Sequence, residues 1–445
     1  MIEHLGGTHV VAIGRREVLS LYRKAGLEPL GCSTQSGSVR YDLLAAEVSE
    51  LRAVAKLRPD ALRWLESRVH WQLGIPFHRA EPCRHGGASF QAIGEDFESL
   101  ERSQEIITAD VLDAWFPPSP RVVSALKANL PFLLRTSPPT ACAGMVRAIV
   151  RSRGVPAECI VPGAGSSELI FLAFREWLSP ESRVFLFDPT YGEYAHVAES
   201  LIGCQVHRQG LLRAENYRMN VALVEDHLAL GMYDLIVIVN PNSPTGHHVP
   251  RVSLECLLRK VPNKTTVWLD ETYVDYAGPD ESLERLAAST DNIIVCKSMS
   301  KVYALSGVRA AYVCAPPLIA KRLREISPPW AVSLPAQLAA VKALEDQEYY
   351  ADRYHETHRL RENLAKSLRE LGIEVIPATA NFLLCHLPEN SADAAIVCRR
   401  CREHGVYFRD AGEISRILGT RALRIAVKEE ATNHRMLEVL RQVLT

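Results

Sequence analysis

The run KSMSKVYALSGVRA, Lys297 to Ala310, sets two lysines, Lys297 and Lys301, among the hydroxyls of Ser298 and Ser300, with Arg309 eight residues after Lys301. An amine able to attack a carbonyl, placed beside hydroxyl and guanidinium donors, can combine covalent chemistry with the binding of an anion. A solvated loop would have the same composition, so the surrounding sequence has to decide. Four other stretches each follow a short apolar run. GAGSSELI (163–170) is a glycine-rich turn feeding a helix, whose free amides and positive dipole end suit a phosphate; Glu168 stands where a dinucleotide fingerprint would have its last glycine. DPTYGEY (188–194) puts Tyr191 at a strand tip, and NPNSPTG (240–246) fixes an irregular turn with two prolines. LDETY puts Asp270 at the end of an apolar strand, with Tyr273 three residues on. A carboxylate there is costly unless a cation or a protonated ring nitrogen meets it. Each alone has a bland structural explanation; their common position at strand ends does not.

The elements that must position these residues alternate from about residue 140. Apolar runs at 184–188, 234–240, 265–270, 292–298 and 307–315 are separated by helix-like stretches at 166–178, 191–202 and near 252–260. Short β-branched runs with helices between them predict parallel strands covered on both faces. Helical patterns over 316–326, 333–346 and 348–371 follow, and then NFLLCHL, VYFRD and LRIAVK alternate with helices at 391–404 and 430–443. The expected fold is α/β, a large domain on a mainly parallel sheet with a smaller α+β domain beside it.

With 445 residues the chain can build two or three domains, and its 47% hydrophobic and 23% charged residues are ordinary for a globular protein. A net charge of -1 offers no field for nucleic acid or an anionic membrane, and no apolar run is long enough to span a bilayer. The first residues, MIEHLGGTHV, lack the pattern of a signal peptide. Eleven cysteines scattered singly suit reduced thiols, and a cytoplasmic location is expected. No metal site is expected: Cys398 and Cys401 lack a second ligand pair, and His78, Cys83 and His85 read as part of a surface loop.

From about residue 110 onward the chain resembles the fold type I aminotransferases that use pyridoxal 5′-phosphate (PLP), and within them the histidinol-phosphate aminotransferase and threonine-phosphate decarboxylase branch. The stretches LDAWFPPSPRVVSAL, GAGSSELI, DPTYGEY, NPNSPTG, DETY, SMSKVYALSGVR, PPWAVS and LRIAV carry the resemblance, in the family's order. It implies that Lys301 forms a Schiff base with PLP, while Ser298 and Arg309 bind the PLP phosphate together with Gly165, Ser166 and Ser167. Lys297 is then expected to be a solvated loop residue. By the same resemblance Asp270 pairs with the pyridine nitrogen, Tyr273 donates to the ring 3-oxygen, Tyr191 stacks on the ring, and Arg424 takes the substrate α-carboxylate. Arg409 matches a position that meets a distal phosphate in the histidinol-phosphate branch; a cationic substrate would instead require it to turn away or to pair with Asp410. A homodimer acting on a small amino-acid substrate, with no nucleic-acid or membrane partner, is implied.

Three departures concern the reaction type. The family's asparagine before Pro-Thr-Gly is Ser243 here, with Asn242 one residue earlier; the tyrosine that crosses to the neighbouring subunit is replaced by Thr136 or Ser137; and an N-terminal-motif asparagine is replaced by Trp115. All three are expected where substrate and cofactor meet. Transamination is the leading expectation, with PLP-dependent decarboxylation, elimination or β/γ-replacement as the alternative, including C–C bond formation with S-adenosylmethionine as donor. A non-enzymatic binding module fits poorly, since no DNA-binding motif accompanies the domain.

Residues 10–48 read strand, helix, strand, turn, strand and resemble the closing segment of the GNAT acyltransferases, without that family's acetyl-CoA loop. The expected organisation is a GNAT-like remnant at 1–49, a helical linker region at 50–105, an N-terminal arm at 106–140, a PLP-binding domain at 141–326 and a small domain at 327–445.

Overall fold

The computed structural model describes residues 8–56, 86–94, 96–97, 99–229 and 232–444; His78, Cys83 and His85 lie outside the described residues. The chain divides into two compact units, Met1–His78 and Arg79–Thr445.

In the first unit, β1 (His9–Arg15), β2 (Glu28–Ser36) and β3 (Val39–Glu47) form an antiparallel sheet in the order β1-β3-β2. Helix Leu19–Lys24 connects β1 to β2, matching the strand, helix, strand, turn, strand pattern of the sequence. Arg16 makes a two-pronged bond to the buried Asp42 carboxylate, 2.9 and 2.6 Å, which fixes the β1 exit against β3.

The second unit is built on a seven-stranded sheet. Its strands are β5 (Ile160–Gly163), β6 (Arg183–Asp188), β7 (Gln205–Gly210), β8 (Leu235–Val239), β9 (Thr266–Asp270), β10 (Ile293–Ser298) and β11 (Ala311–Cys314), in the order β5-β11-β10-β9-β8-β6-β7. The β4 pair, Ile107–Thr108, is held separately by β14 (Val406–Tyr407). Strands β6 to β10 run parallel, but β11 is antiparallel to both neighbours, which departs from an all-parallel reading of 307–315. Its connection from β10 holds only the short helices Met299–Val302 and Ser306–Val308, and the chain turns straight back beside β10 in the antiparallel direction.

Successive side chains of these strands go to opposite faces. Val184, Leu186, Val237, Trp268 and Ile294 pack in one core; Phe185, Ile236, Ile238, Val267, Leu269, Ile293 and Val295 pack in the other. Both faces need apolar residues, and so the strands appear as unbroken apolar runs. A second sheet, β12 (Glu374–Val375), β13 (Phe382–His386), β16 (Ala422–Ala426) and β15 (Arg409–Asp410), is flanked by helices Gln347–Glu370, Ala394–Glu403 and Glu430–Leu444. Cys398 and Cys401 are buried on the middle helix of these three, and burial pushes both thiols up to about 12. Neutral thiols buried among apolar neighbours behave as small core residues.

Candidate functional site

The carboxyl ends of β5, β6, β8, β9 and β10 open into one cavity of about 500 Å³. Its walls include Ser166, Ser167, Tyr191, Ser243, Asp270, Tyr273, Ser298, Lys301, Arg309, Arg409 and Arg424. Residues far apart in sequence thus share one space, as open parallel sheets arrange their ligand sites.

One corner is built for an anion. Helix Ser166–Trp177 begins directly after Gly165, which has φ 91°, a conformation glycine adopts without strain. A Cβ at Gly165 would lie 2.4 Å from Arg309 Nη2, so only glycine lets the guanidinium close against the turn. Arg309 is fixed from the other side: its Nη1 donates to Ser306 O at 3.0 Å and to Ser300 Oγ at 3.4 Å. Ser298 caps the short helix Met299–Val302 and also lines the cavity. Hydroxyls, helix-start amides and one guanidinium here converge as a phosphate cradle requires.

Asp270 ends β9 and is 3% exposed. Its Oδ1 accepts from Thr272 N (2.9 Å) and Thr272 Oγ1 (2.6 Å), and Oδ2 accepts from Tyr194 Oη at 2.7 Å. Tyr194 in turn accepts from Trp268 Nε1 at 2.9 Å. Burial pushes the Asp270 carboxyl above its usual range, and the three donors oppose that shift without supplying a cation. A buried carboxylate so oriented would be stabilised by a protonated ring nitrogen entering the cavity. Tyr194 is a site residue the sequence reading missed; it stands 76 residues from Asp270, and no local pattern signals the contact.

Tyr273 is buried in the same wall, its ring edge-on to Phe382 at 5.2 Å. Tyr191 donates to Glu193 Oε2 at 2.5 Å, and Ser167 Oγ donates to the same oxygen at 2.8 Å. Glu193, 5% exposed, therefore ties Tyr191 to Ser167 at the start of helix Ser166–Trp177, a connection absent from the sequence reading.

Lys301 Nζ lies 2.6 Å from Asp113 Oδ1 and 3.4 Å from Ser306 Oγ. Its turn is pinned by two tyrosines: Tyr276 Oη donates to Lys301 O at 3.2 Å, and Tyr354 Oη donates to Val302 O at 2.9 Å. Burial pulls the Lys301 ammonium below its ordinary pKa, Asp113 opposes the fall, and the neighbouring cations Arg424 and Arg309 assist it.

Lys297 differs from the expectation of a solvated loop residue. It belongs to β10, is 2% exposed, and pairs with Asp275 Oδ2 at 3.1 Å and Glu271 Oε2 at 3.5 Å. Since β10 is buried on both faces, a lysine in it persists only with carboxylates close by. The apparent loop is a strand up to Ser298.

Arg424, central in β16, donates from Nη2 to Asp110 O at 3.0 Å and from Nη1 to Ser243 Oγ at 3.5 Å. Burial lowers its pKa to about 10. The Asp110 carbonyl and the Ser243 hydroxyl are neutral acceptors, so an anion entering the cavity would improve its electrostatic balance. Arg409 stands opposite Arg424 in the β15–β16 register and pairs with Glu413 Oε2 at 2.9 Å. Asp410, the neighbour that a cationic substrate would require Arg409 to pair with, uses Oδ1 to accept from Gly412 N at 2.9 Å, capping the next turn.

Of the two candidates in NPNSPTG, Ser243 reaches the cavity. Asn242 is consumed in tying its turn to the 188–194 stretch, donating to Pro189 O (3.0 Å) and Thr245 Oγ1 (3.1 Å) and accepting from Thr190 Oγ1 (3.0 Å). Trp115 does not line the cavity: its indole N–H donates to Thr357 Oγ1 at 2.8 Å and its ring is edge-on to Phe116. A large amphipathic ring gains more by packing on helix Gln347–Glu370 than by facing a polar cavity. Thr136 and Ser137 follow helix Pro120–Arg135 and are not part of this cavity's wall.

The model of the aminotransferase class I and II family matches residues 138–440. A histidinol-phosphate aminotransferase of Dechloromonas aromatica is 32% identical over 334 residues, covering 74% of this chain and 90% of that protein. Its counterpart in Moorella thermoacetica is 29% identical over 380 residues, 83% of this chain and 95% of that protein. The crystal structure of histidinol-phosphate aminotransferase from Sinorhizobium meliloti in complex with pyridoxal-5′-phosphate superposes with a TM-score of 0.70 at 20% identity, over 80% of this chain and 96% of that one.

Proposed function

The chain belongs to the class I and II aminotransferases, and from that premise we propose that it is a PLP-dependent enzyme transferring the amino group of an amino acid or amino phosphate. The observation that carries this reading is the convergence, in one cavity, of an anion cradle, a lysine, a buried carboxylate without a cation and an arginine with only neutral acceptors. When bound, PLP would supply an electron sink for the substrate α-carbon.

In this reading Ser298, Arg309, Gly165, Ser166 and Ser167 hold the phosphate. Asp270 meets the pyridine nitrogen, held in place by Thr272 and Tyr194. Tyr273 and Ser243 face the ring 3-oxygen, and Tyr191 covers the ring. Lys301 is the amine of covalent attachment and, when free, the base that takes the α-proton and returns it. Arg424 receives the α-carboxylate, a bidentate task suited to a planar guanidinium. Single-turnover spectroscopy with an amino-acid panel tests the reading. Conversion of cofactor to pyridoxamine phosphate with release of the oxo-acid is expected, and its absence across the panel overturns it.

Arg409 is the candidate for a distal anion. Its charge is already balanced by Glu413, so a phosphate there would have to displace a carboxylate. A large rise in KM for phosphorylated substrates in Arg409→Ala supports the phosphate role, and no change removes it.

One observation favours the alternative chemistry of decarboxylation, elimination or replacement, including C–C bond formation with S-adenosylmethionine as donor. With Asn242 engaged by Pro189 and Thr245, the cavity meets a short Ser243 hydroxyl where the family presents an amide. That changes the hydrogen bonding available beside the ring. Mass spectrometry of products decides: oxo-acid alone excludes this alternative.

We read the enzyme as a cytoplasmic homodimer in which the 130–140 loop, with Thr136 or Ser137, approaches the neighbouring subunit's cofactor. Among the described residues no helix is long and apolar enough to cross a membrane, and the described cysteines are free thiols. Light scattering showing a fully active monomer would remove the dimer. Residues 1–49 we read as a degenerate GNAT-like remnant, supported by the strand and helix order of the described part; acetyl-CoA binding by that segment would contradict degeneracy.

A further inference from the structure

Two donors converge on a single carboxylate oxygen beside the reactive lysine. Lys301 Nζ and Ser306 Oγ each lie 2.6 Å from Asp113 Oδ1. Asp113 belongs to the segment that precedes helix Pro120–Arg135, 188 residues from Lys301 in sequence, so the contact is a product of the fold. Its side chain is 50% exposed, which keeps it open to solvent protons, whereas Lys301 is only 19% exposed.

The charges around this pair are lopsided. Facing the Lys301 amine are Arg424 from β16, Arg309 from the segment before β11 and Lys428, all cations, and the carboxylate that holds its charge is Asp113. Facing Asp113 are Lys301, Ser306 and Lys428. Burial works against ionisation of Asp113, yet these partners hold its carboxyl below the usual range. An ammonium near two guanidinium groups would be driven out or neutralised without a carboxylate in contact.

We propose that Asp113 is a positioning residue for Lys301: it anchors the lysine amine whenever that amine is not covalently engaged, and so sets the pH at which it becomes a free base. The proposal rests on the reading of Lys301 given above. A lysine that must alternate between attachment and proton transfer needs a resting place for its amine. Asp113 supplies one, and Ser306 fixes the carboxylate that receives it. Loss of the carboxylate leaves the amine facing Arg424, Arg309 and Lys428 without it, so it should lose its proton at lower pH.

The test uses the purified cofactor-free full chain. Lys301 is acylated with acetic anhydride across a pH series, and its labelling is read by peptide mass spectrometry in wild type, Asp113→Asn, Asp113→Ala and Asp113→Glu. The labelling midpoint should fall by about one pH unit or more in Asp113→Asn and Asp113→Ala, and return toward wild type in Asp113→Glu. In the PLP-loaded enzyme the acid limb of the kcat profile should move the same way. Two neutral replacements at a half-exposed position keep the test available if one of them fails to fold. Superimposable labelling profiles in wild type and either folded neutral variant overturn the proposal. Because labelling requires neither cofactor nor substrate, a shifted midpoint in a protein that never traps PLP at Lys301 would refute the functional reading while leaving the Asp113–Lys301 pairing intact.

Discussion

Lys297 and Lys301 are four residues apart, both are largely buried, and both contact carboxylates, yet the fold uses them in opposite ways. Around Lys297 the network is closed. Arg153 bonds Asp275 at 2.8 Å and approaches Glu284 at 3.6 Å, while Lys297 bridges Asp275 and Glu271. Two cations face three carboxylates, and Glu271 relieves the surplus by being pushed up to about 7, chiefly by burial. Around Lys301 the network is open: one half-exposed carboxylate, two arginines and a cavity of about 500 Å³. Burial and ion pairing therefore do not mark a functional lysine. Access to a cavity and an unbalanced charge environment, which only Lys301 of the two has, are the features on which its proposed role rests.

Breaking this contrast at its reactive side should have the largest effect. Lys301→Ala should abolish the cofactor's protein-bound visible absorbance and reduce turnover by about 10³-fold or more, since covalent attachment and base are lost together. The fold should survive, as shown by an unchanged melting curve of the cofactor-free protein. Asp270→Ala should follow, lowering kcat by about 10²–10³-fold with a smaller loss of cofactor affinity, because the stabilised charge develops in the transition state. Comparable kcat in mutant and wild type would show that the ring nitrogen needs no anionic partner.

Breaking the structural side should show in stability. Lys297→Met leaves buried carboxylates without their ammonium and should destabilise by about 3–5 kcal/mol in denaturant titration. The pH dependence sharpens the point. A carboxyl raised to about 7 in the folded protein carries a penalty that grows as pH rises from the ordinary carboxylate range through 7. Lys297 offsets part of that penalty, so the variant's deficit should be greater at pH 8 than at pH 5.5. Equal deficits at both values would mean that Glu271 does not titrate in that window.

Arg424→Lys should have the smallest effect of the series. The charge remains while the planar fork is lost, so all amino-acid substrates should weaken together, by about 10–100-fold in kcat/KM. Selective loss of one substrate class would relocate the carboxylate site.

How far the sequence foretold this site depends on the range of each contact. Asp270, Tyr273, Ser298, Arg309 and Ser243 sit at strand ends announced by apolar runs and turn residues, and the fold brings them into one cavity. The partners that tune them come from afar. Tyr194 reaches Asp270 across 76 residues, and Asp113 reaches Lys301 across 188. No periodicity encodes such meetings, which follow from strand order and packing. Lys297 was misjudged because a strand buried on both faces shows no alternation, so its end is blurred where hydroxyls follow. Trp115 was misplaced for a different reason: motif position gives the location of a backbone, whereas side-chain direction is chosen by packing, here on Thr357 and Phe116.

The central claim is that the open lysine, and not the closed one, carries the cofactor. Reduction of the PLP-loaded enzyme with borohydride, followed by peptide mapping, tests it most directly. The account predicts one pyridoxyl adduct, on Lys301, with Lys297 unmodified. An adduct on Lys297, or a reduced protein that retains none, would contradict it.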